Sequence, residues 1–365
     1  MQVGIIGLPR AGKTTVFNAV SRGLAPVGGF GAASKPNIRS VAVPDPRVDR
    51  LSEIYDPKKS TYATVEYVDF PAAGEHFGQG EGLGGRFLNE LAAVDALIHV
   101  VRAFEDESVP HPEGSVDPGR DIGIMDLELA FADLALIERR IERIDPELRT
   151  LKAGERGQLQ ALRDLLDRMR GELEAETPIR AMALSADERR LLGGSQFLTD
   201  KPLLDLVNVG EEDLPRRLAI EEELRATHGA SGRDLAVMGG RFEMELNELS
   251  DEEAAEFRDE AGVEHSGMAE AVQRSYALLG LISFLTVGPD ECRAWTVTEG
   301  ATAPEAAGKI HTDLQRGFIR AEVIRYEDLV ECGSEAEAKR RGLQRTEGKE
   351  YQVQDGDVVH VLFNV

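Results

Sequence analysis

Gly7-Leu-Pro-Arg-Ala-Gly-Lys-Thr-Thr15 fits the phosphate-binding pattern G-x-x-x-x-G-K-[ST], with both glycines, the lysine and the threonine in their required places. The stretch follows Gln2–Ile6, a short, apolar, β-branched run that predicts a buried parallel strand. It leads into residues 14–20, whose apolar side chains have helical spacing. A strand, a glycine-rich loop and a helix in this order place backbone N–H groups around a phosphate, at the positive end of a helix dipole. The sequence therefore predicts a nucleotide-binding loop.

The expected phosphate and magnesium contacts belong to this loop and to one later strand. Lys13 is expected to reach the β- and γ-phosphates, and the Thr14 hydroxyl is expected to ligate Mg²⁺. Asp69 ends a second strand pattern at residues 64–69, where a magnesium-side acid belongs. The candidate nucleotide contacts in the loop are Gly7, Pro9, Arg10, Ala11, Gly12, Lys13, Thr14 and Thr15, and the candidate metal ligands are Thr14 and Asp69.

The composition limits the class of protein. The 365 residues are 42% hydrophobic and 5% aromatic, which predicts aliphatic globular cores in two or three domains. A formal net charge of −24 argues against a protein that coats nucleic acid through bulk charge, although a local basic patch could still contact RNA. No run of about 18 apolar residues and no leader pattern is found, so we expect neither a membrane span nor a signal peptide. The two cysteines, Cys292 and Cys332, fit a reduced, cytoplasmic location.

Hydrophobic periodicity divides the chain into an α/β part, a helical part and a strand-rich end. Strand and helix patterns alternate to about residue 104 and again from 202 to 238, which predicts a parallel sheet with its ligand at the carboxyl ends of the strands. Between these parts, two runs of helical spacing, the first interrupted at Pro146, predict a helical hairpin. The hairpin could be an arm that binds nucleic acid or a partner, or a structural coiled coil. We therefore expect an α/β P-loop domain at 1–120 and 198–281, an inserted hairpin at 121–197, and a small mixed-sheet β-grasp domain at 282–365.

A tetrapeptide after one strand pattern bears on which nucleotide is bound. Guanine-specific P-loop proteins read the base with Asn-Lys-x-Asp, whose aspartate accepts hydrogen bonds from groups that adenine does not offer. After the apolar run at residues 203–207, this chain has Asn208-Val-Gly-Glu211. The glutamate and the missing lysine remove the usual guanine-reading arrangement. ATP is therefore favoured, and Asn208, Val209 and Glu211 are the candidate base contacts.

Seven stretches along the chain form one recognisable set. They are GLPRAGKTT (7–15), VPDPR (43–47), GEGLG (80–84), DALIHVVRAFED (95–106), NVGE (208–211) and, in the tail, residues 293–324 and 353–365. Together they resemble the Obg-like ATPase family, called YchF in bacteria. The resemblance implies a P-loop GTPase-like domain interrupted by a helical hairpin, and a C-terminal β-grasp domain of the TGS type. It also implies a preference for ATP over GTP through the N-x-x-E motif, and association with ribosomes.

The two switch regions depart from the family pattern. Aligned on Pro36-Asn37, Ala33 stands where the family has a threonine that closes on magnesium, with Ser34 beside it. Ala72 stands where the family's Asp-x-x-Gly places a glycine N–H at the γ-phosphate, and its Cβ restricts the backbone. Both changes predict weak sensing of the γ-phosphate and slow hydrolysis.

A histidine is the candidate catalytic residue. The family lacks the water-orienting glutamine of many GTPases, and a histidine in a mobile loop is thought to replace it. His111, aligned on Val116-Asp117-Pro118, falls on that position. The alternative interpretation is a solvent-exposed loop histidine between two prolines.

These observations predict a slow, Mg²⁺-dependent ATPase whose nucleotide state regulates binding to the ribosome. Intact Lys13 and Thr14 favour this reading over a fold that binds no nucleotide. One alternative is a nucleotide-binding scaffold with little or no hydrolysis, given Ala33 and Ala72; another is a GTPase of the Obg class, which the N-x-x-E motif opposes. We expect a monomer, and RNA contact through the groove between the hairpin and the TGS domain is a further hypothesis.

Overall fold

The computed structural model describes residues 1–23, 36–70, 85–152 and 156–364. Packing divides the chain into two units. Unit 1 comprises Met1–Arg39 and Glu66–Ala271, and unit 2 comprises Ser40–Val65 and Val272–Val365. No helix within the described ranges has the length and apolar content needed to cross a membrane.

The elements below are those found in the described residues. The strands are β1 (Gln2–Ile6), β2 (Asn37–Ala42), β3 (Ser60–Thr61), β4 (Thr64–Asp69), β5 (Ala96–Ala103), β6 (Leu203–Val209), β7 (Arg233–Met238), β8 (Leu281–Thr286), β9 (Cys292–Thr298), β10 (Phe318–Arg325), β11 (Arg345–Glu347) and β12 (Asp357–Phe363). The helices are α1 (Lys13–Ser21), α2 (Pro46–Tyr55), α3 (Gly85–Ala92), α4 (Pro118–Thr150), α5 (Gly157–Glu174), α6 (Ala186–Leu192), α7 (Arg217–His228), α8 (Gly240–Leu246), α9 (Asp251–Glu260), α10 (Gly267–Leu278), α11 (Ala303–Ile310), α12 (Thr312–Arg316), α13 (Tyr326–Cys332) and α14 (Glu335–Arg340).

A parallel sheet forms the centre of unit 1. Within the described residues its strand order is β2-β4-β1-β5-β6-β7, and β1 pairs in parallel with both β4 and β5. β5 and β6 are buried along almost their whole length, as expected of parallel strands that are covered on both faces. The predicted α/β class is confirmed. Because parallel strands end at one edge, the phosphate loop after β1 lies at the same edge as Asp69, Ala103 and Val209.

The predicted helical hairpin is confirmed, but its first helix is longer than expected. Isoleucines of α4 share one apolar cluster with leucines and a methionine of α5. The break expected at Pro146 is wrong, because α4 runs on to Thr150 with this proline inside it. Pro146 lies four residues before the end of α4, so it removes only one backbone hydrogen bond from a helix that its apolar face already holds. The cluster residues are Ile137, Ile141, Ile144, Leu165, Leu166, Met169 and Leu173.

Unit 2 contains a mixed sheet with a helix packed on it, as the β-grasp prediction required. The order among the described strands is β11-β10-β12-β8-β9-β3, with β12 and β8 parallel and β8 and β9 antiparallel. The small residues Ala303, Ala306 and Ala307 bring α11 close to Phe284 of β8 in the core of this unit. Close approach through alanines is what allows a short helix to cover a narrow sheet.

The division into units differs from the domain boundaries expected from the sequence. Residues 40–65 were expected in the nucleotide domain, but they pack with the C-terminal part of the chain, and so do residues 272–281. One cause is β3, whose Ser60 and Thr61 pair in parallel with Cys292 and Arg293 of β9. The hairpin region at 121–197 is part of unit 1 in this division.

Candidate nucleotide-binding site

Two glycines allow the phosphate loop to lie against its neighbours. Gly7 and Gly12 have φ of 151° and 91°, in the region that favours glycine. A Cβ at position 7 would lie 2.5 Å from the carbonyl oxygen of Val100, and one at position 12 would lie 2.4 Å from Nδ2 of Asn208. Both glycines of the motif are therefore required by backbone conformation and by space.

Lys13 begins α1 and points back into the loop. Its Nζ donates hydrogen bonds of 2.9 Å to the carbonyl oxygens of Gly7 and Leu8. Burial lowers the pKa of Lys13 to about 8, and the negative charge of Asp69 opposes this shift. Gly12, at the N-cap of α1, offers no side chain to the first-turn N–H groups. A cation and a helix N-terminus placed together in this way fit a phosphate group.

Thr14 and Asp69 bring a hydroxyl and a carboxylate together beside Lys13. The Thr14 Oγ1 donates to Asp69 Oδ2 over 3.3 Å. Burial raises the pKa of Asp69, whereas the charge of Lys13 and hydrogen bonds from Asn37 and Thr14 lower it. A hydroxyl in the first turn of α1 and a carboxylate at the end of β4 fit Mg²⁺, which prefers oxygen and is usually held by one or two protein groups plus phosphate. Within the described ranges, no group of three or more His, Cys, Asp or Glu side chains is arranged to hold a metal ion.

The other loop candidates form the turn and the helix around this centre. Ala11 N–H donates to the Leu8 carbonyl at 3.3 Å, which closes the turn through Pro9 and Arg10. Arg10 has φ of 63°, an uncommon conformation for a residue with a side chain. Its Nη1 donates to the carbonyl of Pro110 at 3.0 Å, so the loop is joined to the segment after β5. Thr15 lies in the first turn of α1.

Asn208 braces the phosphate loop from the end of β6. The residue is 4% exposed. Its Nδ2 donates to the carbonyl of Ala11 at 3.1 Å, and its Oδ1 accepts from the N–H of Gly240 at 2.8 Å. One amide hydrogen and one lone pair remain for a base. Val209 is buried beside it, and Glu211 lies at the surface at the start of the 3-10 helix Glu211–Arg216. The structure thus brings Asn208 to the loop, whereas Glu211 is exposed to solvent.

Two residues beside the loop were not singled out in the sequence. Arg102 is 2% exposed, its guanidinium lies 4.4 Å from the centroid of the Phe104 ring, and its Nε donates to the Phe104 carbonyl at 3.0 Å. The ring borders the phosphate loop, since a Cβ on Gly12 would lie 3.9 Å from Phe104 Cε1. A charged residue inside the apolar run of β5 was the signal that could have revealed this pair.

His111 is buried in the loop between β5 and α4. Its side chain is 4% exposed, so the alternative of a solvent-exposed loop histidine is wrong. Nε2 lies 2.8 Å from Oδ2 of Asp121, and the N–H of Glu113 donates to Nδ1 at 3.1 Å. Both ring nitrogens are therefore engaged by the protein in this structure.

Comparison with known proteins agrees with this geometry. Residues 2–115 match the family model described as a 50S ribosome-binding GTPase, and residues 281–364 match the model of the YchF GTPase C-terminal region, described as a protein of unknown function. The protein named ribosome-binding ATPase YchF of Bacillus subtilis (strain 168) is 39% identical over 368 residues, which cover 100% of both chains. The chain belongs to the YchF family.

Other YchF proteins are similar over the same length. The protein of that name from Haemophilus ducreyi is 40% identical over 363 residues, which cover 99% of each chain. The solved structure of the Schizosaccharomyces pombe YchF GTPase has a TM-score of 0.85 at 33% identity, covering 99% of this chain and 97% of that one. The predicted family and the predicted fold class are therefore confirmed.

The structure does not describe the positions at which this YchF chain departs from the family pattern. Ala33 with its neighbour Ser34, and Ala72, lie outside the described residues, and so does the stretch at 80–84. Of the first switch, the structure describes Asn37, which hydrogen bonds Asp69. The predicted effects of the two alanines stay predictions.

Proposed function

We propose that this chain is a slow, Mg²⁺-dependent ATPase whose nucleotide state regulates its binding to the ribosome. The observation that carries the proposal is the cluster at the start of α1, where Lys13 lies between two loop carbonyls and beside the Thr14–Asp69 pair. The relatives named ribosome-binding ATPase supply the substrate and the partner. Ribosome binding would place the protein in the cytoplasm.

The residues of the site divide the work between phosphate and metal. Lys13 and the N-terminus of α1 bind the β- and γ-phosphates, and the turn through Pro9, Arg10 and Ala11 encloses them. Thr14 and Asp69 hold Mg²⁺. When it is bound, the metal ion neutralises charge that develops on the phosphates during transfer. His111, once freed from its present contacts, positions or deprotonates the attacking water.

Adenine selection is assigned to the end of β6. The chain has valine and glutamate where guanine-specific proteins have lysine and aspartate, so N1–H and the exocyclic amine of guanine meet no matched acceptor. Asn208 contacts the purine edge with its remaining hydrogen-bonding capacity, and the backbone of Val209 reads the adenine amine. Glu211, which lies at the surface, is the fourth residue of the N-x-x-E motif.

The test begins with calorimetry of ATP, ADP, GTP and GDP on the purified chain with Mg²⁺. We expect the adenine nucleotides to bind more tightly than the guanine nucleotides. Equal or better affinity for GTP would support the Obg-class GTPase instead. Lys13→Ala supplies the loop control, since loss of a charge-assisted phosphate contact lowers ATP affinity by about one to two decades.

A turnover assay on the same purified chain then distinguishes an ATPase from a nucleotide-binding scaffold that does not hydrolyse ATP. ATP turnover is measured with and without ribosomes for the wild type, His111→Ala and the surface control His360→Ala. We expect His111→Ala to lower turnover by ~10²–10⁴ while ATP affinity stays nearly intact, and His360→Ala to change neither. Absence of turnover in the wild type under both conditions would favour the nucleotide-binding scaffold.

The proposal also includes contact with ribosomal RNA and a monomeric state. With a net charge of −24, the chain would contact ribosomal RNA only through a local basic surface. Co-sedimentation with ribosomes at increasing salt tests RNA contact, because phosphate contacts weaken steeply as salt rises. Light scattering tests the expected monomer.

A further inference from the structure

The loop between β5 and α4 holds His111 in a state that cannot act on water. Because Nδ1 accepts the N–H of Glu113, the proton of a neutral imidazole is on Nε2 and is donated to Asp121. No ring lone pair is left free, and the side chain is 4% exposed. A general base needs a free lone pair within reach of the water it activates. The arrangement seen here is therefore a resting state of the loop.

Asp121 is built to hold that state. It lies in the first turn of α4, is 1% exposed, and accepts from the Nε and Nη2 of Arg120 at 3.0 and 2.8 Å through its second oxygen. Arg120 also donates to the carbonyl of Ser115 at 2.7 Å, so the same guanidinium secures the far end of the loop. The carboxylate is thus charge-compensated and fixed to a helix, and both of its oxygens are used.

The phosphate loop is joined to the same segment. Arg10 Nη1 donates to the carbonyl of Pro110, the residue directly before His111. Arg10 belongs to the phosphate-binding motif, so a bound phosphate would compete for its charge. Binding of a nucleotide to the phosphate loop can therefore influence His111 through the side chain of Arg10.

We propose that Asp121 is a latch that withholds His111 from the nucleotide, and that release of this latch is the regulated step of hydrolysis. The inference rests on the proposed catalytic role of His111. Asp121 acts only through that histidine, so it is a positioning residue. Its effect on turnover is opposite to that of an orienting carboxylate in a catalytic dyad, because removing the latch raises the rate.

Asp121→Asn tests the latch with almost no change in shape. If the asparagine oxygen faces Arg120, its NH₂ group meets the Nε2–H of His111; if the oxygen faces His111, the NH₂ group meets the donors of Arg120. Moving the ring proton to Nδ1 sets it against the N–H of Glu113. One donor–donor conflict remains in every case. Asp117→Asn, four residues earlier, makes the same charge change and keeps a good N-cap for α4, so it is the matched control.

The first readout is carbethoxylation of histidines by diethyl pyrocarbonate, followed by mass spectrometry of the peptides. It depends on access to the ring and not on turnover. His311, whose side chain is 63% exposed, is the internal reference. We expect His111 to react at least about tenfold more slowly than His311 in the wild type, and about tenfold faster in Asp121→Asn than in the wild type or Asp117→Asn. Equal reactivity of His111 and His311 in the wild type, or an unchanged rate in Asp121→Asn, overturns the latch.

The second readout is ATP turnover, which separates the latch from the proposed function. We expect Asp121→Asn to raise turnover by about the factor by which it raises reactivity, and the double variant with His111→Ala to fall to the level of His111→Ala alone. A fall in turnover for Asp121→Asn overturns the latch and makes Asp121 the orienting partner of a base. If no variant hydrolyses ATP, the proposed function fails, and the reactivity of His111 alone decides whether the latch exists.

Discussion

Lys13 is partly buried, and burial disfavours the positive charge of its ammonium group. Its pKa is lowered to about 8, since two carbonyl oxygens and the nearby Asp69 compensate only part of the lost hydration. The free protein therefore begins to lose this ammonium proton within a range that is easily reached in solution. A bound polyphosphate favours the ammonium, so the pKa is higher in the complex than in the free protein.

ATP affinity is predicted to fall as pH rises above about 8. Between the pKa of the free protein and that of the complex, binding takes up a proton, so affinity drops by as much as about tenfold per pH unit. Calorimetry at pH 7, 8 and 9 measures the slope, with Lys13→Arg as the control, because arginine stays protonated and its slope should be flat over this range. A wild-type affinity that is constant from pH 7 to pH 9 would show that Lys13 has an ordinary pKa.

At the scale of single elements, a buried carboxylate ties α4 to the segment that enters β6. Oδ1 of Asp133 accepts from the N–H of Leu198, and Oδ2 accepts from the N–H and hydroxyl of Thr199, over 2.7–2.8 Å. Burial nevertheless raises the pKa of Asp133 to about 6. The hairpin is thus anchored through Asp133, a carboxyl group that keeps its proton to a higher pH than an ordinary aspartate does.

Asp133 is predicted to make the protein less stable as pH rises from 4 to 6. Its folded pKa is raised above the unfolded value, so the folded state holds the extra proton in this window and loses that advantage as pH passes about 6. Relative to Asp133→Asn, which does not titrate, the free energy of unfolding should fall by up to about 3 kcal/mol across the window. Chemical unfolding of both proteins at pH 4.5, 5.5, 6.5 and 7.5 gives the difference. A difference that does not change with pH would contradict the raised pKa.

At the scale of the whole molecule, contacts across hundreds of residues decide which segments fold together. Arg47 donates to both oxygens of Asp45 and forms a 2.7 Å ion pair with Asp355, more than 300 residues later. Asp355 also accepts from the N–H of Ser283 in β8. A Cβ at Gly356 would lie 2.8 Å from Arg47 Nη1, so the turn before β12 closes tightly on the guanidinium. This network belongs entirely to unit 2.

Arg47→Met is predicted to destabilise unit 2 by about 1–3 kcal/mol. The substitution keeps the unbranched apolar stem of the side chain but removes the guanidinium, so Asp45, which is 7% exposed, loses its charged partner. Lys58→Met is the matched control, since the Lys58–Asp290 pair is more than 80% exposed on both sides and contributes little. Thermal unfolding of the two variants compares them. Equal melting temperatures would mean that the Arg47 network does not hold residues 40–65 in unit 2.

Local patterns were sufficient for the chemistry of the phosphate loop and for the class of fold. Gly7, Gly12 and Lys13 are recognisable because their tasks depend on φ, on the absence of Cβ and on one charge at a fixed spacing. The helical hairpin is visible in its apolar spacing, but its length was misjudged at Pro146, because propensity cannot weigh a single lost hydrogen bond against tertiary packing.

The amino-acid sequence by itself determined that a nucleotide site follows β1, that the chain is α/β with an inserted hairpin, and that its family is YchF. Only the tertiary structure decided that Asn208 braces the loop through Ala11 and Gly240, that His111 is buried against Asp121, and that residues 40–65 pack with unit 2. The physical reason is separation along the chain. Backbone conformation and helical spacing depend on near neighbours, whereas these contacts form only after loop closure has been compensated by burial of distant segments against one another.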